Sequence, residues 1–369
     1  MKQAAKASGK PAQLKILVIR RDNIGDLVCT TPIFRALKER HPTAEICALV
    51  NSYNVAVLEN NPDVDAVYAY TKAKHRAAGE SLVGIYWERL KLFAALRRKR
   101  FDFAILAGPH FLPKALRLAR WAKPKHIVGF TEAGEPAARH IDIGIPYVQP
   151  RPMHEAEDIF RLLQPLGIEG PPPPMRVVPS GDETDKAQRA LAAVRTPGTS
   201  LIAVHVSARK PSQRWPTQHF IALVRSLHER YRCAFCLFWS PGEASTPQHP
   251  GDDAKARDIL EALRDVPIVG YPTGRLSALI AGLAQADMMI CSDGGAMHLG
   301  AALGKPILCF FGQSDSTRWY PWGVPHELLQ PETREVSDIR VEEAVDALAR
   351  LRERVRHAGA DACDPRGDA

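Results

Sequence analysis

The feature that most constrains the fold is a glycine-containing stretch, residues 292–306, enclosed between two short apolar runs at 288–291 and 307–311. A short apolar run bounded by turn residues is typical of a buried strand. The stretch therefore predicts strand, tight glycine turn, short helix and strand. The glycine loop would lie at the carboxyl end of a strand, which is where open α/β sheets bind their ligands.

This loop has the composition of an anion-binding turn. Gly294 and Gly295 allow backbone N–H groups to approach a ligand closely, and the helix expected from Ala296 presents its positive end to that ligand. Asp293 and His298 are predicted to project beside the site. The plain alternative is an ordinary strand-to-helix turn in which Asp293 caps the helix.

A second unit of the same kind lies near the N-terminus. Residues 14–19 form an apolar run interrupted only by Lys15, and a loop containing Gly25 and Asp26 leads into a helical pattern that ends near His41. This loop carries a carboxylate in place of a phosphate-binding glycine triplet. Neither G-x-G-x-x-G nor a Walker loop occurs in the chain, so the fingerprints of NAD-binding and P-loop proteins are absent.

The ordered motifs of these two units resemble glycosyltransferase family 9, the ADP-heptose:lipopolysaccharide heptosyltransferases. Residues 20–32 read Arg-x-x-x-Ile-Gly-Asp-x-Val-x-x-Thr-Pro, and residues 293–306 read Asp-x-Gly-x-Met-His-Leu-x-x-Ala-Leu-Gly-Lys-Pro, followed by Phe311-Gly312. The resemblance runs from about Lys15 to Trp322. It implies the GT-B architecture, an α/β fold with two doubly wound Rossmann-like domains facing a cleft and a C-terminal helix packing back across the join.

Alternation of strand and helix patterns independently predicts parallel sheets with helices on both faces. Strands are predicted at 15–20, 44–50, 66–70, 103–106, 126–130, 201–206, 233–239, 267–271, 287–291 and 306–311. Helices are predicted at 26–40, 54–60, 86–99, 113–122, 153–166, 185–194, 217–231, 252–263, 276–285, 296–303 and 341–355.

The run Gly-Pro-Pro-Pro-Pro at 170–174 can form neither a helix nor a central strand and is expected to be a stiff linker. It predicts the domain boundary. The domains expected are an N-terminal acceptor-binding domain at 1–174, a C-terminal nucleotide-sugar-binding domain at 175–337, a terminal helix at 338–357 and a disordered tail at 358–369.

Transfer of a sugar from a nucleoside diphosphate needs a base for the acceptor hydroxyl and stabilisation of the leaving diphosphate. Asp26 is the predicted base, as the family's matching aspartate is proposed to be, and its alternative role is helix capping. No Asp-x-Asp motif lies near either glycine loop, so neither a metal nor a cofactor is expected. The N–H groups of Gly294, Gly295 and Ala296 would then receive the diphosphate.

The loop ahead of Trp215-Pro216 resembles the family's phosphate-contacting segment. The family usually has lysine where this chain has Gln213. The cation expected to meet the diphosphate is therefore Arg214, or else Lys210, and a solvent-facing basic loop is the alternative.

Two further residues match donor-contacting positions of the family. Glu243 matches the position that hydrogen-bonds the nucleotide ribose, although the insertion-like run at 244–251 follows it directly. His298 either contacts phosphate or sugar, or is a structural hydrogen-bonder. Gly294 replaces the threonine that is more usual in the family, which removes a hydroxyl from the donor side.

Basic residues concentrate between Glu88 and Lys125, where eleven Lys or Arg side chains face only two acidic ones in a chain of net charge +8. The predicted acceptor or membrane patch is Arg97, Arg98, Lys99, Arg117 and Arg120. Such a surface suits an anionic membrane and a phosphorylated glycolipid acceptor, and a solvated helix face is the alternative. Helix-turn-helix, RNP and zinc-finger signatures are absent, so nucleic acid is not an expected partner.

The residues and the resemblance together predict an inverting, metal-independent glycosyltransferase that moves heptose from ADP-heptose to the lipopolysaccharide inner core. With no signal peptide and no apolar run of about 20 residues, the expected location is cytoplasmic, peripheral on the inner membrane. One alternative is the same mechanism with another donor or acceptor. A ligand-binding protein without chemistry would not need Asp26, and a GT-B epimerase would need further carboxylates in the cleft.

Overall fold

The fold is built on two parallel six-stranded sheets, seen in a computed structural model that describes residues 13–70, 82–243, 245 and 251–361. The N-terminal sheet has the strand order β3-β2-β1-β4-β5-β6 and the C-terminal sheet the order β12-β11-β10-β7-β8-β9. All strand pairs in both sheets are parallel. The expected α/β class with two doubly wound units is therefore confirmed.

The N-terminal half alternates strands and helices along the chain. Its elements are β1 (Lys15–Ile19), α1 (Ile24–Arg40), β2 (Glu45–Asn51), β3 (Ala66–Tyr70), α2 (Leu82–Lys99), β4 (Phe103–Leu106), α3 (Pro113–Ala122), β5 (His126–Thr131), β6 (Ile143–Pro146) and α4 (Glu155–Phe160).

The C-terminal half repeats the pattern. Its elements are α5 (Gly181–Leu191), β7 (Leu201–His205), α6 (Thr217–Tyr231), β8 (Ala234–Trp239), α7 (Asp253–Ala262), β9 (Ile268–Pro272), α8 (Leu276–Ala284), β10 (Met288–Ser292), α9 (Gly295–Ala302), β11 (Ile307–Phe310), α10 (Ser316–Trp319), β12 (His326–Leu329) and α11 (Val341–Asp361).

The central strands are mostly apolar because helices cover both faces of each sheet. Strands β1 and β10 lie at the middle of their sheets and are almost entirely buried. One hydrophobic cluster contains residues of both halves, since α1 packs against α9, and α8 packs against the turn at Ser52–Val57. The two sheets therefore share a continuous apolar contact at the ends of their central strands.

Helix α1 contains a proline, which would normally weaken it. Pro32 has no N–H to give to the carbonyl of Val28, but the Thr31 hydroxyl donates to that carbonyl at 2.7 Å. The same hydroxyl accepts the backbone N–H of Arg176 at 3.0 Å. The Thr-Pro pair of the N-terminal motif thus keeps α1 continuous and ties the inter-sheet segment to it.

Residues 167–180 contain neither helix nor strand and connect the two sheets. This segment includes the predicted proline linker at 170–174. Arg176 holds it to the N-terminal half, since its carbonyl accepts from Asn61 and its guanidinium pairs with Asp63 at 3.3 Å.

Several predicted elements differ in the structure. The helix expected at 54–60 is a 3₁₀ turn at Ser52–Val57, and the helix expected at 153–166 divides into α4 and a 3₁₀ segment at Arg161–Leu166 that contains Pro165. The short strands β6 and β12 were not predicted, because each is a four-residue edge strand with only partly buried side chains. Too few apolar residues mark such strands in a sequence.

The C-terminal helix is longer than predicted. It continues to Asp361, so the disordered tail expected from 358 begins too early, and residues 362–369 lie outside the described part of the chain. The buried apolar face of α11 (Ala344, Ala347, Leu348 and Leu351) packs in the cluster of the C-terminal sheet, against α6, β11 and β12. These contacts place α11 on the C-terminal sheet, whereas we expected it to pack back across the join.

Candidate active site

Asp26 lies in the first turn of α1, directly after the loop that leaves β1. One carboxylate oxygen, Oδ1, accepts from Arg20 Nη2 at 2.7 Å, and the other accepts from the backbone N–H of Asn23 at 2.9 Å and from its side-chain amide at 3.0 Å. Asp26 therefore takes part in a capping box as well as an ion pair. The capping contacts are thus present, and the role of Asp26 as a base stays a prediction.

The Asp26 carboxyl is kept ionised by its neighbours. Burial acts to raise its pKa, but the Arg20 guanidinium and the N–H donors of Asn23 lower it by more, so the net pKa is below the ordinary value for aspartate. The group is thus a carboxylate at neutral pH, held in one orientation and able to accept a proton.

The loop that leads from β1 into the first turn of α1 is held by side chains of β2 and of the turn that follows β2. The carbonyl of Asp22 accepts three hydrogen bonds, from Asn51 Nδ2 at 3.0 Å, Tyr53 Oη at 2.9 Å and Asn54 Nδ2 at 3.0 Å. Asn51 and Asn54 are buried. A loop with one carbonyl held by three side chains has little freedom, so Asp26 is presented by a rigid support.

Arg20 is a buried cation in this site, with 1% of its side chain exposed. Besides Asp26, it donates to the carbonyl of Ala107 and to Glu155 Oε1, both at 2.9 Å. Arg20 belongs to the N-terminal motif, but Glu155 lies 135 residues away and carries no local signal. Sequence reasoning therefore missed Glu155 as part of the site.

The loop after β10 forms the opposite side. Asp293 Oδ2 accepts from Gln213 Nε2 at 2.6 Å, and the same amide group donates to Ser314 Oγ at 3.1 Å. Gln213 thus ties together the loops that leave β7, β10 and β11. Gly294 precedes α9, which begins at Gly295, one residue earlier than expected.

The two glycine loops touch each other. A Cβ atom built on Gly25 would lie 2.6 Å from His298 Cδ2, and one built on Gly295 would lie 3.1 Å from Ile24 Cβ. The glycines of the two predicted units therefore allow α1 and α9 to approach closely. We call this contact between α1 and α9 the seam.

His298 is buried in the seam instead of projecting freely toward a ligand. Its Nδ1 lies 3.7 Å from Cys29 Sγ, and burial lowers its pKa, so the ring is neutral. This placement favours the structural role among the two roles considered for it.

Cys29, His154 and His298 have potential metal-ligating atoms within 4.8 Å of one another. His154, however, already uses both ring nitrogens. Its Nδ1 accepts the N–H of Ala156 at 3.1 Å, and its Nε2 lies 3.1 Å from the carbonyl of Tyr320. We therefore assign no metal to these three residues.

The predicted donor-side cations lie on the loop after β7. Lys210 is exposed, and Arg214 is half-buried with its Nε donating to the carbonyl of Ala208 at 3.0 Å. Gln213, at the family's lysine position, is buried. Arg209, on the same loop but not among the predicted cations, is close enough to Tyr53 of the N-terminal half to act electrostatically on its hydroxyl.

Glu243 follows β8, so it shares the carboxyl edge of the C-terminal sheet with Asp293 and Lys210. Its side chain is exposed and accepts from Ser245 Oγ at 3.2 Å. Of the insertion-like run that follows it, residues 244 and 246–250 lie outside the described part of the chain.

The predicted basic patch is partly engaged in the fold. Lys99 pairs with Glu45, and Arg97 donates to the carbonyl of Trp121 at 2.7 Å. Arg98, Arg117 and Arg120 are exposed.

Three large apolar side chains are exposed on α2 and α3, namely Trp87 (59%), Leu90 (63%) and Trp121 (42%). Lys91 lies 5.8 Å from the ring centre of Trp87, and Arg117 lies 5.7 Å from that of Trp121. Phe93 and Leu116, by contrast, are buried core residues and not part of this surface. Within the described residues, no helix is both long and apolar enough to cross a membrane.

Comparison with known proteins places the chain in a family. The model of glycosyltransferase family 9 (heptosyltransferase) matches residues 89–346, and the chain belongs to this family. It is a glycosyltransferase.

The chain is 24% identical over 307 residues to lipopolysaccharide heptosyltransferase 3 of Escherichia coli, a match that covers 81% of this chain and 83% of that protein. It is 26% identical over 321 residues to lipopolysaccharide heptosyltransferase 2 of Salmonella typhimurium, with 82% and 83% covered. The chain thus spans most of the length of these relatives.

Solved structures agree on the fold. The E. coli ADP-heptose lps heptosyltransferase II superposes with a TM-score of 0.71 at 20% identity, covering 93% of this chain and 100% of that one. The E. coli heptosyltransferase WaaC with ADP gives 0.72 at 18% identity, covering 92% and 100%. The GT-B architecture expected from the sequence is confirmed by these neighbours.

Proposed function

We propose that this glycosyltransferase is inverting and moves heptose from ADP-heptose to the inner core of lipopolysaccharide. The observation that carries the proposal is the seam, where the first turn of α1, which contains Asp26, packs against α9, which begins directly after Asp293 and Gly294. The E. coli and S. typhimurium relatives are lipopolysaccharide heptosyltransferases, which supports heptose as the transferred sugar. A structural neighbour holds ADP, which supports an adenine nucleotide as the donor.

In the proposed reaction Asp26 is the base. It takes the proton of the acceptor hydroxyl as that oxygen forms a bond to the anomeric carbon of the donor. The bond from this carbon to the diphosphate oxygen breaks on the opposite face, and the nucleoside diphosphate leaves with the electron pair. The pairing with Arg20 keeps Asp26 ionised before the transfer. A positioned base typically contributes about 10²–10⁴-fold to the rate.

The leaving diphosphate would be stabilised by protein donors. The N–H groups of Gly294, Gly295 and Ala296 are at the N-terminal end of the eight-residue helix α9, where the helix dipole favours an anion. Asp293 beside them is bonded to the neutral amide of Gln213, so its negative charge is not cancelled there. We therefore propose that Arg214, with Lys210 second, supplies the positive charge that the diphosphate needs.

The nucleotide would lie along the carboxyl edge of the C-terminal sheet, with Glu243 accepting hydrogen bonds from the ribose. In this proposal residues 1–174 bind the acceptor and residues 175–337 bind the donor. The proposed boundary at 174 falls in the segment 167–180, which has neither helix nor strand.

We also propose that the exposed surface of α2 and α3 docks on the anionic inner membrane from the cytoplasmic side and approaches the phosphorylated glycolipid acceptor there. Trp87, Leu90 and Trp121 supply apolar side chains, and Arg98 and Arg117 are among the exposed cations beside them. Tryptophan at a membrane interface together with basic residues favours binding to anionic lipid.

The experiment that tests the donor is a thermal-shift screen with ADP-heptose and with UDP-, GDP- and CMP-sugars. A ligand that binds only the folded protein stabilises it, by about 2.7 kcal/mol when the ligand concentration is 100 times its Kd. This stabilisation raises Tm. We expect ADP-heptose to raise Tm, and Glu243→Gln to reduce that rise. A rise in Tm with a UDP-, GDP- or CMP-sugar alone would assign the donor to that nucleotide instead of ADP. No shift with any of them would exclude ADP-heptose and point to a donor outside this set.

A further inference from the structure

A chain of alternating charges runs from Asp26 to the C-terminal half. Arg20 Nη2 lies 2.7 Å from Asp26 Oδ1 and 2.9 Å from Glu155 Oε1. The other oxygen of Glu155 accepts from Arg318 Nη2, which also lies 3.2 Å from Asp158. Because Arg20, Glu155 and Asp158 are buried, water screens these charges little.

The guanidinium of Arg20 pairs with three carboxylates. Arg20 faces Asp26, Glu155 and also Asp22, whose carboxylate lies 3.3 Å from its Nε. Glu155 would therefore compete with Asp26 for Arg20 if it had no other cation. Arg318 supplies that second cation from α10 of the C-terminal half.

A short segment, residues 314–318, connects Arg318 to the loop of Asp293 and is fixed by hydrogen bonds. Ser314 accepts from Gln213, which also binds Asp293. Gln330 holds the same segment through the carbonyls of Gly312 at 2.7 Å and Ser314 at 2.9 Å. The loop of Asp293 and the carboxylate of Glu155 are thus connected by residues 314–318.

We propose that Glu155 and Arg318 are positioning residues for Asp26: Arg318 neutralises Glu155, so that Arg20 stays engaged with Asp26. The contact between the two halves then determines how strongly Asp26 holds a proton. This rests on the proposed function only in giving Asp26 the role of base. Loss of Arg318 leaves Arg20 as the cation that Glu155 and Asp26 must share, so the negative charge near Asp26 is less neutralised and favours the protonated form of Asp26.

Other titratable and charged groups also face Asp26, and they are the same in the wild type and in the Glu155 and Arg318 variants compared below. They are Asp22 and Arg20 at the end of β1, Cys29 on α1, Tyr53 in the turn after β2 and His298 on α9.

The test is a titration of the Asp26 carboxyl by carbon-detected NMR in the full chain labelled at aspartate, with the signal assigned by Asp26→Asn. We expect Arg318→Gln to raise the midpoint by about half to one pH unit. Glu155→Gln should leave it at or below the wild-type value. The double variant should return close to wild type, since Arg318 acts only through Glu155. The acid limb of kcat/KM should move in parallel.

Arg161→Gln is the matched control. Arg161 and Arg318 have the same exposed side-chain fraction, 19%, and both pair with Asp158, but Arg161 lacks the pairing with Glu155. Arg161→Gln should not move the midpoint of the Asp26 titration. Arg318→Lys should keep this midpoint close to the wild-type value. Equal shifts in Arg161→Gln and Arg318→Gln would overturn the proposal, as would a shift in Arg318→Gln that survives in the double variant.

Two further arms keep the test decisive. Should Arg318→Gln fail to fold, an upward shift in Glu155→Gln alone would contradict the proposal. If the wild type transfers no sugar, the proposed function fails, yet the titration still decides whether Glu155 and Arg318 act on Asp26.

Discussion

His298 lies against Gly25 so closely that no larger residue fits at position 25 without movement. A Cβ there would be 2.6 Å from His298 Cδ2. This contact joins a loop of the N-terminal sheet to a helix of the C-terminal sheet, and both flank residues we assign to the reaction. The site is therefore a product of how the two halves meet, and substitutions at their contact should change both stability and activity.

Gly25→Ala should destabilise the protein and slow transfer. The added methyl group must displace the buried His298 ring, and overpacking of this kind typically costs about 1–3 kcal/mol. Denaturant unfolding and kcat measure the two effects. Gly181→Ala is the control, because a Cβ there meets no atom within 4 Å. Equal stability of Gly25→Ala and wild type would show that the seam is looser than described.

Asp26→Asn should reduce kcat by about 10²-fold or more while leaving ADP affinity nearly unchanged. The amide keeps the shape of the side chain but cannot take a proton from the acceptor. Steady-state kinetics and calorimetric titration with ADP measure the two quantities. Glu39→Gln, an exposed ion-pair residue on the same helix, serves as the control. Activity within about tenfold of wild type would remove Asp26 from the role of base.

Transfer should survive excess EDTA. The diphosphate is proposed to be met by the N–H groups of residues 294–296 and by Arg214, so a divalent cation is not required. The measurement is product formation with and without chelator, and then with added Mg²⁺ or Mn²⁺. A strict requirement for either ion would replace this account of leaving-group stabilisation.

Charge reversal of Arg98, Arg117 and Arg120 together should weaken binding to anionic liposomes and raise KM for the glycolipid acceptor, with KM for the donor unchanged. Each exposed cation near the surface contributes about 1 kcal/mol, which salt screens. Unlike Lys99, which pairs with Glu45, these three are exposed. Liposome sedimentation at low and physiological salt measures the binding.

The matched control for this surface reverses three exposed arginines of the C-terminal half, Arg230, Arg232 and Arg257, with the same change in net charge. If both triple variants bind liposomes alike, the surface of α2 and α3 is only a solvated face. The acceptor would then be recognised elsewhere.

Stability should fall as pH drops below about 6.5, partly because of His154. Burial lowers the pKa of His154 to about 3, so the unfolded chain takes up this proton first. The contribution of neutral His154 to the free energy of unfolding is therefore lost progressively from about pH 6.5 down toward pH 3. Chemical unfolding at several pH values measures this slope. His154→Gln should flatten it by up to about 1.4 kcal/mol per pH unit, whereas the exposed His357→Gln should not.

Much of the fold could be predicted because its information is local. The apolar runs of β1 and β10 and the glycine loops after them follow from spacing along the chain. The roles of Asp293, Lys210 and Glu243 remain predictions, although the strand order does place all three loops at one sheet edge. Edge strands such as β6 could not be predicted, because half-exposed strands carry little hydrophobic signal in the sequence.

The electrostatics of the site was decided by tertiary structure. Arg20 and Glu155 are 135 residues apart, and nothing near either one reveals that they form a buried ion pair. The burial of His298 and the neutral link from Gln213 to Asp293 likewise arise only when separate loops pack together. Sequence patterns report which faces are apolar over a few residues. The pairing of buried charges depends on distances between elements, and those distances exist only in the folded chain.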